Sequence, residues 1–467
     1  MPQRKSTPAG SGAAKPVKAS EASKANKPVR AKAGGRAGAK GSVARSRAAL
    51  ASRFGAPSGA YDSSGLVDLR LAATGNAQVF VFLKRDANPS MTQVTRELGK
   101  HFSAEKESQV ASLAMVRGGP GSRRPQAFRY FKNLGMVLGT VNTDGYKALR
   151  KGTELVDTVH LAPALRMIRP VTVAAAAIPA DPLTWGLRAM QVDQLWSRGF
   201  TGKGVLVAHL DTGLDGTHPA LKDAIGEFVQ FDTLGNIVTP SPAAFDSAQH
   251  GTHTAGTIAG RPINNSNIGV APEALLASAM VIEGGNIQAR VLGGLDWALE
   301  QRAQVLTMSL GWPGWIPSFI PIIQVLRQSN CLPVIAVGNE GVGTSRSPGN
   351  YVESLSVGAC DVNGNVPDFS SSQLFQRTQN PLVPDVIAPG VNVVSAMPGG
   401  GYQSMDGTSM ATPHVAGLAA LLRQAKPTAS VDQIEAAIFG SCGAVPANYT
   451  GRTERGLPNG PRALALL

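Results

Sequence analysis

Gly204-Val-Leu-Val-Ala-His-Leu-Asp-Thr-Gly213 is an apolar run of strand length, closed by a glycine at each end. It does not alternate with polar residues, so it suits a strand buried on both faces, the setting of a parallel sheet covered by helices. Asp211 falls where that strand ends. Open α/β sheets carry their functional groups outside the carboxyl ends of their strands, which makes Asp211 the first candidate for chemistry.

Two distant segments extend the argument: His250-Gly-Thr-His-Thr-Ala-Gly256 and Gly407-Thr-Ser-Met-Ala-Thr-Pro-His-Val-Ala-Gly417. A serine hydroxyl is a poor nucleophile until an imidazole removes its proton, and a carboxylate must hold that imidazole in one tautomer. Each segment alone has a plainer reading. Asp-Thr-Gly also marks aspartic proteases, but those need two copies and this chain has one. His250 and His253 are spaced like a zinc pair, yet no further cluster at ligand spacing accompanies them. Thr408 and Ser409 are favoured helix N-caps. Taken together in the order Asp, His, Ser, the three segments resemble the subtilisin-like serine proteases, the subtilases. That resemblance implies Asp211 as orienting acid, His250 as general base and Ser409 as nucleophile, with His253 and His414 structural. Met410 to Ala425 reads as a helix starting at Ser409, which sets the nucleophile in the positive field of a helix N-terminus. Pro413 lies close to the first turn, where a missing N–H costs little.

The resemblance implies further positions. Cys331-Leu-Pro-Val-Ile-Ala-Val-Gly-Asn-Glu-Gly341 is similar to the family's oxyanion segment. On that match Asn339 supplies a side-chain amide, aided by the Ser409 N–H; losing such a donor costs ~10²–10³ in rate, a magnitude known from subtilisin itself. Leu306-Thr-Met-Ser-Leu-Gly311 is similar to the strand whose edge receives substrate, with Ser309, Leu310 and Gly311 as the contacts. Trp312 and Trp315 wall a subsite or cap the core. Glu340, beside the oxyanion loop, would favour a basic side chain in the first pocket. Thr217-His-Pro-Ala220 matches a segment that commonly ends in a calcium-ligating aspartate; Ala220 carries no carboxylate, which puts structural calcium in doubt there. No metal or other cofactor is required by this reading. His209 stands where an aliphatic residue is usual, and is expected to be a core histidine with a hydrogen-bond partner. Met410, beside the nucleophile, predicts sensitivity to oxidation.

Charge divides the chain of 467 residues. Residues 1–60 hold 13 basic residues and one acid, residues 61–175 hold 16 and 9, and residues 176–467 hold 15 and 21. The first stretch, rich in Lys, Ala, Gly, Ser and Pro, cannot bury enough apolar surface to offset its ordering entropy and is expected to be disordered. Two readings of it stay open: salt-dependent nucleic-acid contact through residues 1–55, and a solubilising spacer. No aromatic precedes Phe54, which counts against base stacking. Residues 76–172 follow a βαββαβ pattern: strand Ala77–Leu83, helix Met91–Phe102, strand Arg129–Thr140, helix Thr143–Lys151, then Val156–His160 and Met167–Val171. Their place and pattern resemble the inhibitory propeptides of subtilases, so the small domain is expected to dock on its own enzyme. Residues 173–183 form a small-residue linker, the expected site of self-cleavage, and 184–467 the peptidase domain. The fold class is α/β: a subtilisin-like parallel sheet flanked by helices, preceded by a small α+β (ferredoxin-like) propeptide domain and a basic tail.

No 7–15-residue apolar signal region opens the chain and no stretch of 18 apolar residues suggests a membrane span. Three cysteines, Cys331, Cys360 and Cys442, cannot all pair. These features favour the cytoplasm; a non-classical export route or a mis-assigned start is the alternative. The expected protein is a monomeric serine endopeptidase acting on protein or peptide substrates and made as a self-processing zymogen. The rival readings are a silent homologue that binds peptides in its cleft, and a protease tethered to nucleic acid by its tail.

Overall fold

A computed structural model of the protein describes residues 64–84, 86–103, 127–163, 166–177, 181–282 and 284–467. The basic tail expected over 1–60, and 178–180 of the linker, lie outside the described residues. Seven strands form the central sheet, in the order Val386–Pro389, Leu355–Cys360, Leu332–Ala336, Val305–Met308, Leu206–Asp211, Leu275–Met280, Ile225–Gln230. Every pairing in it is parallel.

Two hydrophobic clusters explain why the inner strands of this sheet are largely apolar. On one face Val207, Leu276, Val305, Leu332 and Val334 meet Ala255 and Ile258 of helix His250–Ala259 and Val415 and Leu418 of helix Thr408–Ala425. On the other face Ala208, Leu210, Ala279, Leu306 and Ile335 meet Leu292 and Leu295 of helix Ile287–Glu300 and Ile322 and Leu326 of helix Ile320–Gln328. Side chains alternate across a strand. Val207, His209 and Asp211 therefore share the face of helix His250–Ala259, while Ala208 and Leu210 take the opposite one.

The N-terminal unit is a four-stranded antiparallel sheet in the order Phe128–Phe131, Met136–Val141, Ala77–Leu83, Val156–Leu161. Helices Met91–Leu98 and Thr143–Arg150 bury Val94, Leu98, Tyr146 and Leu149 against Val79, Val81 and Val137. The reverse face, carrying Phe80, Phe82, Met136 and Leu138, joins the same cluster as helix Ile287–Glu300. Strand alternation thus gives this sheet one face for its own core and one for the larger body.

Three expectations change. Arg129–Thr140 is not one strand but a hairpin: Lys132 to Gly135 turn between Phe128–Phe131 and Met136–Val141, with Gly135 at φ +62° and its N–H on Lys132 O. Met167–Val171 does not join the small sheet. Arg166–Met167 pairs with Leu310–Gly311 of the larger body, and Thr172–Ala176 pairs with Gly401–Asp406; apolar strand-like residues select a free edge only in three dimensions. Helix Ser64–Thr74 buries Val67 and Leu71 in the small unit's core, so packing begins ahead of residue 76.

Helix His250–Ala259 reaches the end of strand Leu206–Asp211 because its first turn carries no side chain at Gly251, where a Cβ would stand 1.9 Å from the Gly213 carbonyl oxygen. We expect Gly251→Ala to force the helix outward and to cost ~1–3 kcal/mol or more, as overpacking does. A lowered urea midpoint together with lost activity would bear this out; an unchanged midpoint would refute it.

Candidate active site

Asp211 and His250 meet across the junction just described. The Nδ1 atom of His250 lies 2.8 Å from Oδ1 and 2.9 Å from Oδ2 of Asp211. The carboxylate also accepts the Thr212 N–H on Oδ1 at 2.7 Å and the Thr254 hydroxyl on Oδ2 at 3.3 Å. Both side chains are almost wholly buried, at 2% and 4% exposure. Burial alone would hold the Asp211 carboxyl protonated, but the facing imidazole and the donated hydrogen bonds bring its pKa below the usual value. For His250, burial opposes protonation and the Asp211 carboxylate outweighs it, leaving the imidazole more basic than usual. Its Nε2 is buried and has no hydrogen-bond partner among the described residues.

Ser409 is the second residue of helix Thr408–Ala425, one residue inside the expected start, and is fully buried. Pro413 lies within this helix and has no N–H to give the Ser409 carbonyl; the Ser309 hydroxyl donates to that oxygen instead, at 3.4 Å. The Ser409 Oγ donates to the Ile168 carbonyl at 3.0 Å. One residue on, the Asn339 Nδ2 donates to the Arg169 carbonyl at 2.9 Å. The Asn339 amide is aimed by Thr408, whose N–H and hydroxyl both donate to its Oδ1, at 2.9 and 2.8 Å.

The carbonyls of Ile168 and Arg169 belong to a segment threaded along the cleft. Met167 pairs with Leu310, Arg166 pairs with Gly311, and the Ile168 N–H donates to Ser309 O at 3.2 Å. Past the serine, the Val171 N–H donates to Asp406 O at 2.8 Å and Thr172–Ala176 continues antiparallel to Gly401–Asp406. Ser309, Leu310 and Gly311 thus hold an extended strand, and that strand is the protein's own. A cleft of about 760 Å³ remains open beside it, with Thr212, Ile282, Asn339, Glu340 and Arg346 in its walls.

Other residues singled out in the sequence fall elsewhere. Trp312 caps the core: it is buried against Phe319, with its indole N–H on Pro163 O at 2.8 Å. Trp315, half-buried, packs between Tyr351 and Phe375. The Glu340 carboxylate is engaged by the Arg346 guanidinium, with Nε at 2.9 Å; it is not free to face a basic side chain. Ala220 is buried and apolar, and no group of three or more His, Cys, Asp or Glu is gathered as for a metal among the described residues. His253 Nε2 bonds Val393 O and His414 Nδ1 bonds Met410 O, both at 2.9 Å; burial drives their pKa values down to about 3 and about 4. Met410 is fully buried. Sequence reading passed over Thr254 and Arg346 and took Thr408 only for a helix cap, because a threonine in a helical run or an arginine in a loop carries no sign of what it will face. Among the described residues no helix is long and apolar enough to cross a membrane.

Residues 202–457 match the profile of the Subtilase family. The chain is 39% identical over 288 residues to an alkaline protease of Alkalihalobacillus alcalophilus, a match spanning 60% of this chain and 70% of that protein. Subtilisin Savinase of Lederbergia lenta is 39% identical over 259 residues, 55% of this chain and 89% of its own length. The major intracellular serine protease of Bacillus subtilis (strain 168) is 35% identical over 269 residues, 56% and 80% of the two chains.

Were His250 the general base that the sequence reading expects, it would work only when neutral, and kcat/KM would rise with pH through a midpoint above the ordinary imidazole value of about 6.5. Asp211→Asn removes the carboxylate that raises it; the midpoint should fall and kcat should drop ~10⁴-fold. A pH–rate profile of both proteins checks the sign.

Proposed function

Since the chain belongs to the subtilase family of serine-type endopeptidases, we propose that Asp211, His250 and Ser409 form its catalytic triad and that residues upstream of 177 hold the enzyme as a self-inhibited zymogen. The observation that carries this reading is the threaded segment. An extended strand, paired on Leu310–Gly311 and running past Ser409, occupies the course a substrate peptide would take.

On this reading Ser409 Oγ attacks the peptide carbonyl while His250 Nε2 takes its proton. The imidazolium that results is stabilised by Asp211, which accepts from Nδ1 throughout. The carbonyl oxygen, now an anion, meets the Asn339 amide, already oriented by Thr408, and the Ser409 N–H. His250 then returns the proton to the leaving amine, and water repeats the sequence on the acyl-enzyme. Extended protein or peptide chains are the substrate class, because main-chain pairing with Ser309–Gly311 is nearly indifferent to sequence.

The bound segment is a poor substrate for a geometric reason. Ser409 Oγ addresses the Ile168 carbonyl while the Asn339 amide addresses the next one, Arg169. Nucleophile and oxyanion donor are split between neighbouring peptide groups, and His250 Nε2 has no hydroxyl to deprotonate. Cleavage therefore waits on a shift of the segment. The linker expected to be cut, 173–183, lies on the C-terminal side of these carbonyls; its start is paired in strand Thr172–Ala176.

The test is intact mass and N-terminal sequence of the purified wild type beside Ser409→Ala. Wild type should split within residues 173–183 and Ser409→Ala should stay whole. The variant should also lose ~10⁶ in kcat, a magnitude known from subtilisin, and refuse a serine-directed phosphonate. Equal splitting in both proteins would refute self-processing; retained label would refute Ser409 as nucleophile.

A further inference from the structure

We propose that His209 is a positioning residue for the acid–base pair, the centre of a buried hydrogen-bond relay that runs from Ser278 through His209 and Thr254 to Asp211. The inference rests on the reading of Asp211 and His250 as the working pair. His209 lies two residues before Asp211 on strand Leu206–Asp211, on the same face, in register with Ser278 of the next strand. It is 1% exposed. Both of its ring nitrogens find partners at this depth, as buried polar groups usually do. Nδ1 lies 3.0 Å from Ser278 Oγ and Nε2 lies 2.9 Å from Thr254 Oγ1. The direct path to the carboxylate is too long for a hydrogen bond: Nε2 stands 3.8 Å from Asp211 Oδ2.

Proton counting sets the direction. Besides His209, the Thr254 hydroxyl has three neighbours: Asp211 Oδ2 at 3.3 Å and the carbonyls of His250 and Gly251 at 3.1 Å each. All three are acceptors only, and a hydroxyl that gave its proton to His209 would leave all three facing its lone pairs; the arrangement that satisfies more of them keeps that proton for one of the three and has the oxygen accept from His209. Nε2 therefore carries hydrogen. The charged and titratable groups facing the ring are Asp211 on its own strand, His250 on the helix above and Asp246 in the loop before that helix; burial nevertheless keeps the ring neutral. With one proton, Nδ1 is bare and accepts from Ser278. Each donor in the chain then points toward the carboxylate: Ser278 O–H to His209, His209 Nε2–H to Thr254, Thr254 O–H toward Asp211 Oδ2.

Such a chain polarises along its length and supports negative charge at its end. It holds Asp211 in the rotamer that accepts from His250 Nδ1 and lowers the basicity of the carboxylate. Replacing His209 by an aliphatic side chain leaves the Thr254 oxygen without its donor and its proton free to settle on the backbone carbonyls. Asp211 becomes more basic and less fixed, and it draws the His250 proton more strongly. The acid limb of activity should then move to higher pH while kcat falls; KM should hold, since His209 touches no substrate.

The experiment uses the full chain and its processed form, in wild type, His209→Val, Thr254→Val, Ser278→Ala and the double variant His209→Val with Thr254→Val. We expect the acid limb of kcat/KM to rise in all four variants and kcat to fall ~3–10-fold, the worth of one hydrogen bond, with KM within about twofold. The double variant should be no worse than Thr254→Val, because both act through one bond to Asp211. Ser278→Ala deletes only the outermost donor, so it retains the packing if His209→Val fails to fold. Ring nitrogen NMR on full-length Ser409→Ala reads the tautomer without catalysis: His209 should be neutral and protonated on Nε2 across the range of activity. A ring protonated on Nδ1, a fixed acid limb in the folded variants, or additive losses in the double variant would each overturn the proposal. Activity retained by Ser409→Ala would instead sink the triad reading and leave the ring signals unchanged.

Discussion

A carboxylate cannot be taken out of water on the apolar face of a sheet unless donors meet both its oxygens. Asp211 satisfies that condition with the His250 ring, the Thr212 N–H and the Thr254 hydroxyl. Much of the surrounding structure follows from supplying those donors. Helix His250–Ala259 must begin against the turn after the strand, which only a glycine at 251 permits. Asp246 fastens that turn to the helix by accepting from the Thr212 hydroxyl and from the N–H and hydroxyl of Thr252. Helix Thr408–Ala425 then packs on the same face and brings Ser409 into the cleft.

The same economy of backbone groups shapes the cleft. Strand Leu310–Pro313 and strand Gly401–Asp406 each present a free edge, and unpaired edges attract an extended chain. Here the segment from Arg166 to Ala176 satisfies both edges in one pass. The small N-terminal unit anchors that segment from a distance. Phe80, Phe82 and Met136 share a hydrophobic cluster with helix Ile287–Glu300, and Asp296 of that helix accepts the Leu134 N–H at 2.9 Å from the hairpin turn. The contacts that anchor the small unit therefore lie apart from the cleft through which the segment runs.

Much of this was written in the chain order of residues. The apolar run ending in Asp211, the His-Gly-Thr-His segment and the Gly-Thr-Ser helix start imply a covered parallel sheet with an acid, a base and a hydroxyl at one end, because strand and helix periods place side chains by counting. The small unit was less legible: its observed βαββαβ order emerges only when the apolar run at 129–140 is split by the turn at Lys132–Gly135 and Met167–Val171 is given up to the cleft. Counting stops at contacts between distant segments. That Glu340 is neutralised by Arg346, that Trp312 is a core residue, that Thr408 aims Asn339 and that Met167–Val171 leaves its own sheet for the cleft each depends on which edge or pocket happens to stand opposite. Apart from Glu340 and Arg346, six positions apart along a loop, those pairings bring together residues tens to hundreds of positions apart, with no local pattern to announce them. Residue types and their order determined the chemistry available to this protein; the tertiary structure alone decided which carbonyls Ser409 and Asn339 face, since hydrogen bonds are set by distances that packing, not sequence spacing, imposes.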